Sequence, residues 1–292
     1  MTILRVGTVV STHWLRDQLL SLKNVAKHRP MRVLDVSSTM DPEVDGYKEF
    51  YQQSHIPESL HISIHKLCPP SNASLHKFPV PDSNRFQDVV ESLGICNSTH
   101  VITYDRSDTK FALKIWWLFR LFGHNRVSVL DGGFKKWLTD GFEVTVDEPK
   151  VQRSLFRPAF NPELLQDYDD MVKHVALKSH QLVDARPPDW YKGSGERPLD
   201  VVGGHIPGAK NIPYAALFNE DGTFKSQHEL KKVFDAGNVD LGRPIVASCQ
   251  TAMTACGLAA AACILGKETV PIYNGSFLEW SQRAEPHQIE LD

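Results

Sequence analysis

The sequence predicts an α/β protein made of two similar domains, each with a mainly parallel sheet flanked by helices. Its 292 residues suit two domains of ordinary size better than one. Short β-rich runs alternate with helical patterns, which is typical of parallel sheets. A series of landmarks in the first half also recurs, in the same order, in the second half.

The alternation of strand and helix patterns is visible in the middle of each half. In the first half it runs through 101–104, 111–122, 127–130 and 134–138. In the second half, Ser226 and Glu229 have capping-box spacing and open an amphipathic helix through Phe234. Gly123 and Gly266 stand where a long helix would end before the next strand.

Four landmarks repeat across the halves: Val33-Leu34-Asp35 as Leu182-Val183-Asp184, His55-Ile56-Pro57 as His205-Ile206-Pro207, Asp131-Gly132-Gly133-Phe134 as Asn274-Gly275-Ser276-Phe277, and Trp137 as Trp280. Asp35 and Asp184 are 149 positions apart and the two tryptophans 143 apart, as small loop changes would produce. We therefore expect a first domain over 1–145, a linker over 146–162 and a second domain over 163–292. Prolines in the linker disfavour a continuous helix.

The composition argues against several kinds of partner and site. A net charge of −3 gives no basic footprint for nucleic acid, and the longest uncharged stretch, 254–266, is too short to cross a bilayer. Five irregularly spaced cysteines argue against a disulfide framework and fit a reducing compartment. Cys256 and Cys263 would lie about 10 Å apart on a helix, too far to share a metal ion, so we expect no metal. Without a signal-peptide core at the N-terminus, we expect the cytoplasm, with the mitochondrion as an alternative.

Cys249 is the candidate nucleophile of the chain. It lies where an apolar run, 244–248, gives way to a short loop and then to a helix rich in small residues, 255–265. The matching position in the first half is Asp105. A thiol between a parallel strand and a helix suits a nucleophile, whereas a small buried cysteine is the structural alternative. We expect a reactive thiol, in the second copy alone.

These repeated motifs, with the nucleophile in the second copy, resemble the two-domain rhodanese superfamily over nearly the whole chain. The stretches 115–124 and 271–276 look most like those of 3-mercaptopyruvate sulfurtransferases, with thiosulfate sulfurtransferases as the related group. The resemblance implies tandem rhodanese-like domains, the first catalytically inactive, and no cofactor. It also implies that Cys249 takes sulfur from a small-molecule donor as a persulfide. Cyanide or a thiol acceptor such as thioredoxin would then remove that sulfur.

The loop after Cys249 determines which donor is expected. Mercaptopyruvate enzymes typically carry Cys-Gly-Ser-Gly-Val-Thr and thiosulfate enzymes Cys-Arg-Lys-Gly-Val-Thr. Here the sequence is Cys249, Gln250, Thr251, Ala252, Met253, Thr254. We expect residues 250 and 252–254 to bind the donor, with backbone amides that stabilise a thiolate or persulfide anion. Without loop cations, dianionic thiosulfate lacks compensation for its desolvation, so 3-mercaptopyruvate is expected. If position 252 needs a positive φ, alanine is strained there.

The resemblance also assigns catalytic roles outside the loop. The proton-transfer triad of mercaptopyruvate enzymes falls on Thr251, His76 and Ser63. Thr251 keeps the hydroxyl and His76 keeps the base. Ser63, however, cannot supply the carboxylate that orients an imidazole and stabilises its charged form. The sequence therefore predicts an altered triad.

The resemblance also implies two arginines that bind substrate. One falls on Trp190, and the nearest candidate for the other is Arg197. Arg186 is a further expected substrate-binding residue, with a structural ion pair as its alternative. A non-catalytic binding or sulfur-relay protein is the alternative function. A phosphatase of this scaffold is disfavoured because Ala255 stands where its Cys-x5-Arg motif needs arginine.

Overall fold

A computed structural model describes residues 6–22, 30–69, 75–195 and 201–291. The described chain forms two compact units. Of the described residues, one comprises 6–22, 30–69, 80–161 and 220–223, and the other comprises 75–79, 162–195, 201–219 and 224–291. The second unit thus starts its main segment at the end of the expected linker, and residues 146–161 belong to the first unit. Residues 75–79, which the sequence placed in the first domain, belong to the second unit.

The first unit contains a five-stranded sheet with strand order β1-β5-β4-β2-β3, in which neighbouring strands run parallel. Its strands are β1 Val9–Val10, β2 Met31–Asp35, β3 Ser59–His61, β4 His100–Tyr104 and β5 Val127–Leu130. Its helices are α1 Thr12–Leu22, α2 Ile64–Leu67, α3 Ser83–Ser92, α4 Lys110–Leu121 and α5 Gly133–Thr139, with a π-helical turn at Tyr47–Tyr51.

The second unit repeats this topology with strand order β6-β10-β9-β7-β8, again with parallel neighbours. Its strands are β6 Leu165–Gln166, β7 Gln181–Asp184, β8 Lys210–Asn211, β9 Ile245–Ser248 and β10 Ile272–Tyr273. Its helices are α6 Tyr168–Leu177, α7 Pro188–Tyr191, α8 Gln227–Ala236, α9 Ala255–Ile264 and α10 Ser276–Arg283, with 3₁₀ turns at Pro162–Leu164, Tyr214–Leu217 and Pro286–Gln288. The prediction of two α/β domains with parallel sheets is confirmed.

The predicted helix signals form the contacts expected of them. Ser226 and Glu229 make a reciprocal capping box at the start of α8, which satisfies two amides that the helix cannot pair itself. Gly123 and Gly266 follow α4 and α9 with φ of 80° and 91°. Such left-handed conformations end helices at little cost when the residue is glycine.

The hydrophobic core of each unit lies between its sheet and its helices. The repeated landmarks occupy the same core positions: Val33, Ile56, Phe134 and Trp137 in the first unit, and Leu182, Ile206, Phe277 and Trp280 in the second. His55 stacks on Tyr51, and His205 stacks on Tyr191. In both pairs the ring centroids are 3.8 Å apart. The His-Ile-Pro repeat is therefore a packing element in both units.

Candidate active site

Cys249 lies directly after β9, six residues before the start of α9. Its backbone N–H donates to the Ser276 hydroxyl at 3.3 Å, and its carbonyl accepts from the Phe277 amide at 2.9 Å. The side chain is buried, with 1% of the residue exposed. Two residues in the first turn of α10 therefore hold the backbone of the predicted nucleophile, one through its N–H and the other through its carbonyl.

The turn 274–276 has a strained conformation that serves this contact. Ser276 is fully buried and has a φ of 54°, a region that costs a residue with a side chain about 1–2 kcal/mol. Its hydroxyl donates to the Tyr273 carbonyl at 2.9 Å while it accepts from Cys249. The serine thus supplies a hydrogen-bond acceptor that a glycine at the same position would lack.

The loop from 250 to 254 curves between β9 and α9. No backbone N–H in it has a hydrogen-bond acceptor among the described residues. Ala252 is fully buried and has a positive φ, 59°. Its backbone is therefore in the left-handed conformation in which we expected alanine to be strained. The Gln250 side-chain amide nitrogen is also buried without a partner in the described chain. Unpaired N–H groups beside a helix N-terminus favour an anion at the loop centre.

Asp105 occupies the matching position in the first unit, after β4. One carboxylate oxygen accepts from the amides of Ser107 and Thr109 at 2.9 and 3.1 Å. The other oxygen accepts from the amide of Ala112 at 3.0 Å. Burial raises the pKa of Asp105, and these amides oppose that rise. In the first copy, two loop amides and one amide of α4 are therefore already bound by the Asp105 side chain.

His76 contacts the turn and helix that hold Cys249. Its Nε2 lies 3.3 Å from the Glu279 carboxylate on α10, and its Nδ1 lies 3.5 Å from the amide nitrogen of Asn274. Asn274 also donates to the Phe78 carbonyl at 3.2 Å. The structure therefore places the predicted base next to the turn 274–276, whose Ser276 hydroxyl accepts from the Cys249 amide.

Glu279 is a functional candidate that the sequence analysis missed. Burial alone would raise its pKa, but hydrogen bonds from His76 and Arg283 lower the pKa to about 2. The carboxylate is therefore ionised at neutral pH. The sequence does show that Glu279 lies on a helix that follows a repeated landmark. Its contact with a histidine 203 positions away cannot be predicted from the spacing of neighbouring residues.

The remaining predicted residues have varied surroundings. Arg186 is 2% exposed, and its guanidinium pairs with Asp184 at 2.7 Å and donates to the Gly204 carbonyl at 2.8 Å. These contacts are those expected of a structural ion pair. A role of Arg186 in substrate binding stays a prediction. Ser63 caps α2 in the first unit by accepting from the Lys66 amide. Arg197 lies outside the described residues.

The other loop residues are buried or half-buried. Thr251 and Met253 are buried, Thr254 is half-buried, and α9 begins immediately afterwards at Ala255. Their roles in catalysis and donor binding stay predictions. Within the described ranges, no cluster of three or more histidine, cysteine or acidic side chains could hold a metal ion. In the same ranges, no helix combines the length and apolarity needed to cross a membrane.

Comparison with known proteins identifies the relatives of this chain. The family of rhodanese-like domains matches residues 13–140 and again 166–283. Thiosulfate sulfurtransferase from Bos taurus is 39% identical over 95% of this chain and 93% of its own length. The 3-mercaptopyruvate sulfurtransferase from Mus musculus is 34% identical over 96% of this chain and 94% of its own.

Solved structures agree with the fold. The crystal structure of SseA, a 3-mercaptopyruvate sulfotransferase from Escherichia coli, superposes with a TM-score of 0.80 at 26% identity, and the match covers 93% of this chain and 99% of SseA. Tum1 from Saccharomyces cerevisiae superposes with a TM-score of 0.82 at 22% identity, and the match covers 98% of each chain. At this identity the likeness concerns the fold alone. Since both halves match one domain family and the relatives align along almost the whole length, this chain belongs to the rhodanese-like family and is a sulfurtransferase.

Proposed function

We propose that the enzyme transfers sulfur from 3-mercaptopyruvate, through a persulfide on Cys249, to a thiol acceptor such as thioredoxin or to cyanide. The observation that carries this proposal is the position of Cys249 at the end of β9, ahead of loop amides with no acceptor in the described chain. Such amides stabilise a thiolate before transfer and a persulfide anion after it. The same position in the first unit holds Asp105, which cannot carry sulfur.

The transfer has two steps. The Cys249 thiolate attacks the donor sulfur, so that an S–S bond forms and the S–C bond breaks. The electron pair stays on carbon as the enolate of pyruvate, which takes a proton. An acceptor thiolate or cyanide then attacks the outer sulfur, and Cys249 leaves as the thiolate. No external oxidant or reductant is needed.

The choice of donor rests on charge. Residues 250–254 carry no cationic side chain, so the loop offers little compensation for desolvating the two charges of thiosulfate. A mercaptopyruvate carboxylate carries a single charge and needs less. The relatives include sulfurtransferases named for each donor, and the family comparison therefore leaves this choice to experiment.

The test measures thiocyanate formed from cyanide after incubation with 3-mercaptopyruvate or with thiosulfate. We expect Cys249-dependent thiocyanate, faster with mercaptopyruvate, and complete loss in Cys249→Ser. The matched control is Cys263→Ser, a half-buried cysteine at the end of α9, which should keep the activity. Equal thiocyanate from wild type and Cys249→Ser would refute the proposal. Sulfur loading by a protein persulfide, but by neither small donor, would instead favour the sulfur-relay alternative.

A further inference from the structure

Arginines from two different positions of the repeat fill an equivalent place in the two units. We infer that Arg186, by filling it in the second unit, takes over the packing role that Arg106 has in the first and leaves position 250 to determine the choice of donor. Position 250 is the counterpart of Arg106. The inference rests on the proposed function for the choice of donor, while the exchange of arginines is a property of the fold. Arg186 acts through packing and is assigned no contact with substrate.

In the second unit, a guanidinium packs on the residue whose amide holds the nucleophile. The Arg186 Cζ lies 3.9 Å from the centroid of the Phe277 ring, and Nη2 donates to the Gly204 carbonyl at 2.8 Å. The same guanidinium pairs with Asp184 at 2.7 Å. The Phe277 amide donates to the Cys249 carbonyl at 2.9 Å. We call the place between the Phe277 ring and the Gly204 carbonyl the guanidinium site.

The first unit has the same guanidinium site, filled from another position in the chain. The Arg106 Cζ lies 3.9 Å from the centroid of the Phe134 ring, and Nη2 donates to the Ser54 carbonyl. Phe134 is the repeat counterpart of Phe277. Ser54 directly precedes the first His-Ile-Pro element, and Gly204 directly precedes the second. The two guanidinium groups therefore stack on the same landmark and donate to the same backbone carbonyl of the repeat.

The residues at the exchanged positions fit one arginine for each site. Ser37 is the counterpart of Arg186, and Gln250 is the counterpart of Arg106. In the first unit, the Ser37 hydroxyl and one carboxylate oxygen of Asp35 are buried without a hydrogen-bond partner among the described residues. In the second unit, the same holds for the side-chain amide nitrogen of Gln250. Each unit thus has a polar side chain with an unpaired atom where the other unit has its arginine.

This exchange determines what the loop beside the nucleophile can offer to a donor. An arginine introduced at position 250 meets a guanidinium site that Arg186 already fills. Its charge then stays in the loop, where it compensates for the desolvation of a dianionic donor. With the site vacated, the same arginine can occupy it, as Arg106 does from the matching position, and its charge is withdrawn from the donor. The effect of a cation at position 250 therefore depends on the residue at position 186.

The first experiment moves the arginine between the two positions of the second unit. Arg186→Ser leaves Asp184 buried without its cation and should lower the midpoint of thermal unfolding by roughly 10 °C. Adding Gln250→Arg, which recreates the arrangement of the first unit, should recover about half of that loss or more. Adding Gln250→Lys instead is the matched control, because it supplies the charge without a planar guanidinium, and it should recover little. No recovery with arginine, or equal recovery with lysine, would overturn the inference.

The first unit provides the reciprocal experiment, which does not depend on how the second-unit variants fold. Arg106→Gln should lower the unfolding midpoint by roughly 5 °C, because the stacked cation is lost. Adding Ser37→Arg should restore the midpoint, since the new guanidinium can pair with Asp35 and reach the vacated site. Sulfur transfer by the folded enzyme should be unchanged in both variants. A midpoint that Ser37→Arg does not raise in the Arg106→Gln background would contradict the exchange.

A donor ratio tests the consequence for transfer. The rate of thiocyanate formation with thiosulfate is divided by the rate with 3-mercaptopyruvate, so that the folded fraction of each variant cancels. Gln250→Arg should raise this ratio roughly 10-fold, as a hydrogen bond to a charged group would. Arg186→Ser alone, and Arg186→Ser combined with Gln250→Arg, should stay near the wild-type ratio.

The outcomes separate this inference from the proposed function. A ratio raised equally with and without Arg186→Ser, or raised in neither background, would overturn the inference. Wild-type enzyme that forms no Cys249 persulfide from 3-mercaptopyruvate would overturn the proposed function. The two unfolding experiments would still decide the exchange of arginines in that case, because they involve no donor.

Discussion

The loop after β4 and the loop after β9 occupy the same place in two copies of one fold, yet their amides serve different groups. Around Asp105, two loop amides and the amide of Ala112 in α4 bind the carboxylate of the loop's first residue. Around Cys249, the amides of 250–254 have no acceptor in the described chain. The amides of the first loop bind a carboxylate of that loop, and those of the second loop have no such acceptor. The difference teaches that the first side chain of the loop decides whether these amides are used within the fold; under the proposed function, the amides of the second loop would stabilise a sulfur anion.

The turns before α5 and α10 differ in the same sense. Gly133 and Ser276 share the left-handed conformation, with φ of 58° and 54°. A Cβ on Gly133 would lie 2.7 Å from the Asp105 carbonyl oxygen, which excludes serine there. Ser276 is accommodated and uses its hydroxyl to accept from the Cys249 amide. The second copy thus accepts backbone strain where the first avoids it.

Truncation of Asp105 should mainly lower the stability of the protein, whereas truncation of Cys249 should mainly abolish sulfur transfer. These are the largest effects that we expect. Asp105→Ala leaves three amides without their acceptor, and the two buried ones, of Thr109 and Ala112, cost roughly 1–3 kcal/mol each before water enters. We expect a net loss of about 3–4 kcal/mol in the free energy of unfolding and normal sulfur transfer by the folded enzyme. Cys249→Ala should lose all transfer and only about 1 kcal/mol of stability. Urea unfolding and the thiocyanate assay measure both quantities; equal stability losses would contradict the comparison.

Acid should weaken the second copy through Glu279. Its pKa is about 2 in the folded protein, against an ordinary value of 4.5. Because the folded pKa is the lower one, the stabilisation is complete above about pH 4.5 and is lost as the pH falls towards 2. Wild type should therefore exceed Glu279→Gln by about 2–3 kcal/mol near pH 6, and the difference should shrink below pH 4.5. Urea unfolding at several pH values checks this, and a constant difference would argue against an ionised, stabilising Glu279.

The smallest effect concerns the strain at Ala252. Ala252→Gly relieves about 1–2 kcal/mol of left-handed strain but adds about 0.5–1 kcal/mol of chain entropy to the unfolded state. We expect a net stabilisation of about 0–1.5 kcal/mol. Ala261→Gly, in the middle of α9, is the control and should destabilise the protein by about 1 kcal/mol or more. Destabilisation of both variants to the same degree would show that Ala252 is not strained.

Local patterns were sufficient to predict most of the architecture. The strand–helix alternation, the Ser226 capping box and the core positions of Trp137 and Trp280 appear in the structure as expected. These features depend on residues that are neighbours in sequence, or on a repeat that is visible in it. Segment 75–79 is different, since it groups with the second unit although residues 80–161, which follow it directly, belong to the first.

The amino-acid sequence by itself determined the family, the duplicated α/β fold and Cys249 as the candidate nucleophile, because hydrophobic period and repeated motifs act over short distances. The tertiary structure alone decided that Glu279 faces His76 and that Ser276 holds the Cys249 amide. It also set the left-handed backbone at Ala252. Side-chain partners and unpaired amides depend on chain segments that meet only after folding. The spacing of residues in the sequence therefore does not predict these contacts.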